Sequence, residues 1–498
     1  MRLKIASRRS DLARWQAVQV ARTLEQHPQK PQIEFNFKAS LGDQNLDLPL
    51  ASMGSKGVFT EDFYGDLMSH ECDLVVHSWK DLPVDEREAT HIAMTLPRAD
   101  VRDLLLVPEA AWKNAERTGK LNIFTSSPRR IYNLGRCLAD LLPGQVQIEF
   151  HNVRGNVPTR LRKMHEAGYG LVLAKAGLDR LLAAEKDGFL VGQAEIRPLL
   201  ADCRFQVLPV SLNPPAPAQG ALAVEVRRDN QSVNSLCDHF TDEQTSLAVR
   251  RERDVLKSYG GGCHQKIGVA VLPREYGQVF ALRGLTTDGK VLNEWRLENS
   301  TPWLPAQTPE HIFPLQPKDN RWFERLPVAL TTDLSKCKAL FVARSEALPE
   351  EQKIASSQLV WTAGVQSWIR LASRGIWING CHDGLGEREE FGLEHLAPGT
   401  QFTKLTHSTG GGSGEVLPTY QLKPLAEAPD LKGKSHFYWM SRTSFEEAKR
   451  RYPREIAEGH HACGPGSTFD FLRAQKDLKH PIKVFINLEQ FLAESLPR

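Results

Sequence analysis

Ile123-Phe124-Thr125-Ser126-Ser127-Pro128-Arg129-Arg130 decides how this chain is to be read. Two apolar residues end a strand, a serine caps a helix, and a proline takes the first helical position. A strand that runs directly into a capped helix is the building unit of an α/β fold. The same helix start gathers three hydroxyls and two guanidinium groups, the donors of an anion site.

The pattern recurs on both sides. Leu3-Lys4-Ile5-Ala6-Ser7 reads as a strand, followed by Arg8 and a helix capped by Ser10. Asp73-Leu74-Val75-Val76-His77 reads as a buried strand, with Ser78-Trp79-Lys80-Asp81-Leu82-Pro83 at its end. Gln147-Ile148-Glu149-Phe150 leads to Arg154-Gly155-Asn156-Val157-Pro158-Thr159-Arg160, and Leu171-Val172-Leu173-Ala174 leads to Ala176-Gly177-Leu178-Asp179-Arg180. Basic residues therefore return at one sheet edge after successive strands, where a solvated helix face would scatter them by helical period. That edge is the ligand-binding edge of open α/β sheets. Taken singly, each has a plainer reading. Arg8 is a surface cation beside a cap, Asp81 a turn former, and the loop Gly54-Ser55-Lys56-Gly57-Val58-Phe59 a linker as readily as a lid carrying Lys56.

A second kind of signal lies at Tyr259-Gly260-Gly261-Gly262-Cys263-His264. A helical pattern over 242–259, with Leu247, Val249, Val255 and Leu256 as its apolar positions, precedes it. The strand Ile267-Gly268-Val269-Ala270-Val271 follows. Three glycines free the backbone for positive φ and hold a thiol between two ordered elements. Alone, this is a turn with an incidental cysteine.

At 498 residues the chain is too long for one core. A net charge of +3 argues against a general polyanion-binding surface, so any cationic site is local. The charged N-terminus, with Arg2, Lys4, Arg8 and Arg9, is no signal segment, and no apolar run reaches membrane-spanning length. Eight scattered cysteines without a CxxC pair argue against a disulfide scaffold and a structural zinc site, and fit a reducing cytoplasm. Residues 302–317, rich in proline, read as a linker. Beyond it, strands are expected at Ala339-Leu340-Phe341-Val342-Ala343, Ile376-Trp377-Ile378-Asn379, Ser435-His436-Phe437-Tyr438-Trp439 and Lys483-Val484-Phe485-Ile486, with a glycine-rich loop at 408–414.

In order along the chain, Ile5-Ala6-Ser7-Arg8-Arg9-Ser10, Lys56-Gly57-Val58-Phe59, Val76-His77-Ser78-Trp79-Lys80-Asp81-Leu82-Pro83, Thr125-Ser126-Ser127-Pro128-Arg129-Arg130, Arg154-Gly155-Asn156-Val157, Gln219-Gly220-Ala221-Leu222 and Gly261-Gly262-Cys263 closely resemble the porphobilinogen deaminase (hydroxymethylbilane synthase) family. The resemblance covers the first 300 residues. It implies two periplasmic-binding-protein-like (type II) α/β domains, 1–102 plus 205–226 and 103–204, and a small α+β domain, 227–300. It also implies a dipyrromethane cofactor joined by a thioether to Cys263, and the head-to-tail joining of porphobilinogen into a linear tetrapyrrole. By the resemblance Asp81 is catalytic. Arg8, Ser10, Lys56, Phe59, Lys80, Thr125, Ser126, Ser127, Arg129, Arg130, Arg154, Gly155, Arg160 and Arg180 bind cofactor and substrate, whose carboxylates suit guanidinium forks. The chain departs from the family pattern at Ser52, Phe124, Ala218 and Gln265-Lys266.

In the α/β segment 318–498, after a linker at 301–317, Asn379-Gly380-Cys381-His382-Asp383-Gly384-Leu385-Gly386-Glu387 and His461-Ala462-Cys463-Gly464-Pro465-Gly466-Ser467-Thr468 resemble pieces of uroporphyrinogen-III synthase. The segment reads as short for a full two-domain copy, and a purely structural tail is the alternative. The expected partner is porphobilinogen, without nucleic acid, membrane or metal, for a cytoplasmic monomer. A non-catalytic anion-binding protein on the same fold is the rival from another class. It explains the arginines but neither Cys263 nor Asp81.

Overall fold

The computed structural model describes residues 1–38, 61–189, 191–262, 265–330, 332–412 and 414–497. Lys56, Phe59, Cys263, the loop 54–59 and the departure at Ser52 lie outside them. The chain divides into two compact units, one of residues 1–139, 145–271 and 281–294, the other of 140–144, 272–280 and 295–498.

The first unit is built on two five-stranded sheets. Its strands are β1 (Arg2–Arg8), β2 (Gln32–Lys38), β3 (Leu74–Ser78), β4 (Thr90–Met94), β5 (Asp103–Pro108), β6 (Lys120–Phe124), β7 (Gln147–His151), β8 (Gly170–Ala174), β9 (Cys203–Val207) and β10 (Leu222–Arg227). One sheet runs β2-β1-β3-β10-β4 and the other β7-β6-β8-β5-β9. In each, the first three strands are parallel and the fourth antiparallel. The antiparallel strand is supplied from across the chain: β5 enters directly after the first sheet's β4, and β10 returns after the second sheet's β9. Two sheets of this order, each lending the other no strand but exchanging the chain twice, are the type II periplasmic-binding-protein-like arrangement.

Buried aliphatic strands drive this. Leu3, Ile5, Leu74, Val76, Val224 and Val226 pack under Val20 and Leu24 of the helix Asp11–Leu24. Leu104, Leu105, Leu106, Ile123, Leu171 and Leu173 are at most 3% exposed in the second sheet. Each such side chain contributes about 1.5–3 kcal/mol on burial. The helix starts follow the sequence: Ser10 Oγ accepts from Ala13 N and Ser127 Oγ from Arg130 N, with Pro128 opening the helix Pro128–Leu134. A three-stranded sheet, β11 (Lys266–Arg274), β12 (Gly277–Leu285) and β13 (Val291–Glu298), follows the helix Glu243–Ser258. On that helix Val249 and Leu256 are buried, but Leu247, read as apolar-facing, is 65% exposed. It lies two residues from Val249, about 200° around the helix and so on the opposite face.

The second unit holds β14 (Ile312–Phe313), β15 (Phe323–Pro327), β16 (Ala339–Val342), β17 (Leu359–Thr362), β18 (Gly380–Cys381), β19 (Thr403–His407), β20 (Val416–Pro424), β21 (His436–Trp439), β22 (His460–Cys463) and β23 (Lys483–Val484). They form a parallel sheet β14-β21-β22-β23 and a sheet β15-β20-β19-β16-β17-β18. Two α/β sheets are present where the segment read as short. The strand expected at 376–379 stands instead at Gly380–Cys381, because the Asn379 side chain itself accepts from Val360 N at 2.9 Å. The linker expected at 301–317 is also corrected. Ile312 and Phe313 are a buried strand on β21, and Trp303 packs on Phe485 and Phe491 at 5.4 and 5.8 Å.

Candidate active site at the strand ends of the first unit

β3 ends in a single turn, Trp79–Asp81, that holds Lys80 half-buried and Asp81 exposed. Two groups fix the turn. Trp79 N donates to Ala221 O at 3.1 Å, and Arg253 donates to Trp79 O and Leu82 O at 3.4 and 3.3 Å and also to Pro83 O. Arg253 comes from the helix Glu243–Ser258, whose end leads into the glycine run. There Gly260, Gly261 and Gly262 take φ of 91°, 64° and 100°. A Cβ at Gly261 would strike Val84 Cγ2 at 2.7 Å, so the run packs against the chain just past Asp81. Gln265, a departure from the family pattern, donates to Tyr259 O and Gly261 O at 3.1 and 3.2 Å.

The basic residues meet in one electrostatic field. Burial pulls the Lys80 ammonium down to about 8, with Asp81 opposing and Arg130 and Arg129 adding to the effect. Burial lowers Arg160 as well, with Arg130 and Arg154 adding and Asp81 opposing. Lys80, Asp81, Arg129, Arg130, Arg154 and Arg160, read from three separate stretches, are thus neighbours. Arg160 Nε donates to Gly155 O at 2.7 Å; Gly155 takes φ of 116°, and a Cβ there would strike Thr159.

The helix start that opened the reading is used differently from the expectation. Arg129 and Arg130 do not present open forks. Both turn onto Asp103, the fully buried first residue of β5, at 2.9 Å for Arg129 and 2.7 and 3.0 Å for Arg130. Gln219 adds a bond to Asp103 at 2.9 Å and accepts from Lys80 Nζ at 3.5 Å. Burial would raise the Asp103 carboxyl, but the two guanidiniums outweigh it and hold it far below the usual range. The hydroxyls are likewise engaged locally: Thr125 Oγ1 accepts from Ser127 N, and Ser126 Oγ bonds Val153 O at 2.8 Å. Arg8 closes β1 and Ser10 caps the next helix. Arg180 donates to Gly220 O at 2.5 Å and is lowered to about 10 by burial. Asp103, Gln219 and Arg253 were not singled out as site residues. Only Gln219 stood in a quoted motif. Ala218, where the family pattern has glycine, takes φ of 65° with its methyl fully buried.

The second unit has its own candidate site. A cavity of about 340 Å³ opens at the ends of β21, β22 and β23, lined among others by Gly384, Tyr438, Gly464, Pro465, Thr468 and Asn487. Both synthase-like fragments reach it. Gly386 and Gly466 approach so closely that a Cβ on either would stand 2.8 Å from the other's Cα.

Against known proteins, residues 3–235 match the family model described as "Porphobilinogen deaminase, dipyromethane cofactor binding domain". The chain is 36% identical over 291 residues to porphobilinogen deaminase of Syntrophomonas wolfei, covering 58% of this chain and 86% of that protein. It is 36% identical over 284 residues to that of Geobacter sulfurreducens, covering 57% and 80%. Among solved structures, the reduced OxyR regulatory domain of Pseudomonas aeruginosa is similar at TM-score 0.25 and 12% identity over 48% of this chain and 96% of its own. A periplasmic sulfonate-binding protein from Methylobacillus flagellatus is similar at TM-score 0.24 and 11% identity, over 52% and 68%. The strand order above is the ground for the fold, and the curated relatives are the ground for the family. With most of their length matched at more than a third identity, this chain belongs to the porphobilinogen deaminase family.

Proposed function

We propose that this chain is a hydroxymethylbilane synthase, a transferase that joins porphobilinogen units head to tail with loss of ammonia in tetrapyrrole biosynthesis. The observation that carries the reading is Asp81: an exposed carboxylate in the field of Lys80 and Arg160, on a turn that the cysteine-bearing loop packs against.

The residues fit a dipyrromethane group. Cations of three strand ends suit its carboxylates, and the glycine run, closed to a Cβ by Val84, leads to the thiol of Cys263 that would hold it. When bound, that group supplies the two rings from which the chain grows. The protein's own part is electrostatic. Lys80, Arg154 and Arg160 hold substrate carboxylates. Asp103 neutralises one of the two charges of Arg129 and Arg130, so the pair adds a net positive field without two bare buried cations. As ammonia leaves the substrate, positive charge develops on its carbon, and the Asp81 carboxylate stabilises it while accepting from the pyrrole N–H. The limits 1–102 plus 205–226, 103–204 and 227–300 for the three domains, a monomeric state and a cytoplasmic setting belong to this proposal. Among the described residues no helix is long and apolar enough to cross a membrane.

Asp81→Asn tests the reading. The amide keeps hydrogen bonding and loses the charge, so porphobilinogen consumption falls about 10²–10³-fold while the fold is kept. Near-normal turnover makes Asp81 a turn former and ends the proposal.

A second reading concerns 318–498. The cavity at the ends of β21 to β23, with both glycine fragments meeting beside it, supports a uroporphyrinogen-III synthase in the same chain, which would capture the linear product before it closes to the type I ring.

A further inference from the structure

We propose that His165, Asp202 and Cys203 form a site for one divalent transition-metal ion of the zinc type, apart from the residues assigned above.

The three donors are nearly equidistant. His165 Nε2 stands 3.8 Å from Cys203 Sγ and 3.9 Å from Asp202 Oδ1, and Sγ stands 4.0 Å from Oδ1. The centre of a triangle with such edges lies about 2.3 Å from each corner, against zinc bonds of roughly 2.0–2.3 Å to nitrogen, oxygen and sulfur. Leu199 O, 2.7 Å from His165 Nε2 and 3.2 Å from Cys203 Sγ, is the hydrogen-bond acceptor that holds these two donors beside each other. Imidazole, thiolate and carboxylate make a three-donor set that leaves a fourth position to solvent, and the thiolate selects zinc-type ions over magnesium or calcium.

The fold assembles the set from two places. His165 is in the last turn of the helix Val157–Ala167, which Gly168 ends in the left-handed conformation. Asp202 and Cys203 stand where β9 begins, after the short helix Arg197–Leu200. The separation between residues 165 and 202 hides the group from any reading of ligand spacing. Cys203 and His165 are half-buried and Asp202 is exposed, so an ion can enter from solvent.

Without metal, His165 Nε2–H and the Cys203 thiol both point their protons at Leu199 O. Burial, with Asp202 nearby, pushes that thiol up to about 12. A dication at the centre reverses both influences. On binding, the thiol proton would leave to solvent and the imidazole proton would move from Nε2 to Nδ1, so that Leu199 O gives up the two hydrogen bonds it accepts.

Cobalt(II) is the probe, titrated into the reduced full-length holoenzyme. The expected result is one equivalent bound with a thiolate-to-cobalt charge-transfer absorption in the near ultraviolet. That absorption disappears in Cys203→Ser and persists in Cys237→Ser. Asp202→Asn, at an exposed position that leaves folding intact, weakens cobalt binding about 10–100-fold. Absence of the absorption in the unaltered protein, its persistence in Cys203→Ser, or unchanged affinity in Asp202→Asn overturns the site.

Discussion

Asp103 is where the site's charge is organised. Its carboxylate accepts from Arg129, Arg130, Gln219 and Asn213, all buried. Asp103→Asn leaves two buried guanidiniums facing a neutral amide. Urea denaturation is expected to show a loss of about 3–5 kcal/mol; a loss below about 1 kcal/mol, the size of a surface pair, contradicts this. Nothing in the sequence pointed to it, because an aspartate opening Leu104-Leu105-Leu106-Val107 looks like any strand start. Its partners come from 26, 27, 110 and 116 residues away. Lys80, by contrast, was legible beside Asp81, but its shifted proton affinity was not, since that depends on burial. With a pKa of about 8 folded against the ordinary lysine value of 10.5, the unfolded chain binds more protons between these limits, and Lys80's contribution to stability rises with pH there. For catalysis the direction is opposite. Lys80 loses its charge above about pH 8, so kcat/KM for porphobilinogen should fall there, and Lys80→Arg should carry the activity to higher pH. A decline unchanged in Lys80→Arg assigns it to another group.

At the scale of elements, the strand-to-helix turns were readable because capping and proline placement are local chemistry. Ser10 and Ser127 cap as their positions require. Elements failed where a side chain replaced backbone, as Asn379 does on β17, or where a short apolar stretch found a distant partner, as Ile312 and Phe313 do on β21. The loops at Gly386 and Gly466 are a sharper case. Both glycines take positive φ, 110° and 98°, and each occupies the space of the other's Cβ. Gly466→Val therefore parts the two loops beside the 340 Å³ cavity. If the cavity closes the tetrapyrrole ring, the unaltered chain given porphobilinogen yields the type III isomer. Gly466→Val then shifts the product to type I at an unchanged rate of porphobilinogen consumption. Chromatography of the oxidised products reads this directly, and type I from both proteins removes the synthase reading.

For the molecule as a whole, strands running into capped helices were enough to give the α/β class, and a net charge of +3 left any cationic site local. The double crossing that puts β5 in the second sheet and β10 back in the first was not visible in periodicity, since antiparallel and parallel strands buried on both faces are alike in apolar composition. Nor was the boundary of the second unit, which takes in 272–280 through the Arg274 fork on Glu389 at 2.6 Å for both nitrogens. The proposed function requires one covalent linkage, at Cys263. Intact mass of the purified protein should exceed the sequence mass by a single two-pyrrole group, and Cys263→Ser should show the bare sequence mass with no porphobilinogen consumption. An unmodified chain that still consumes porphobilinogen, or an adduct retained in Cys263→Ser, would contradict it.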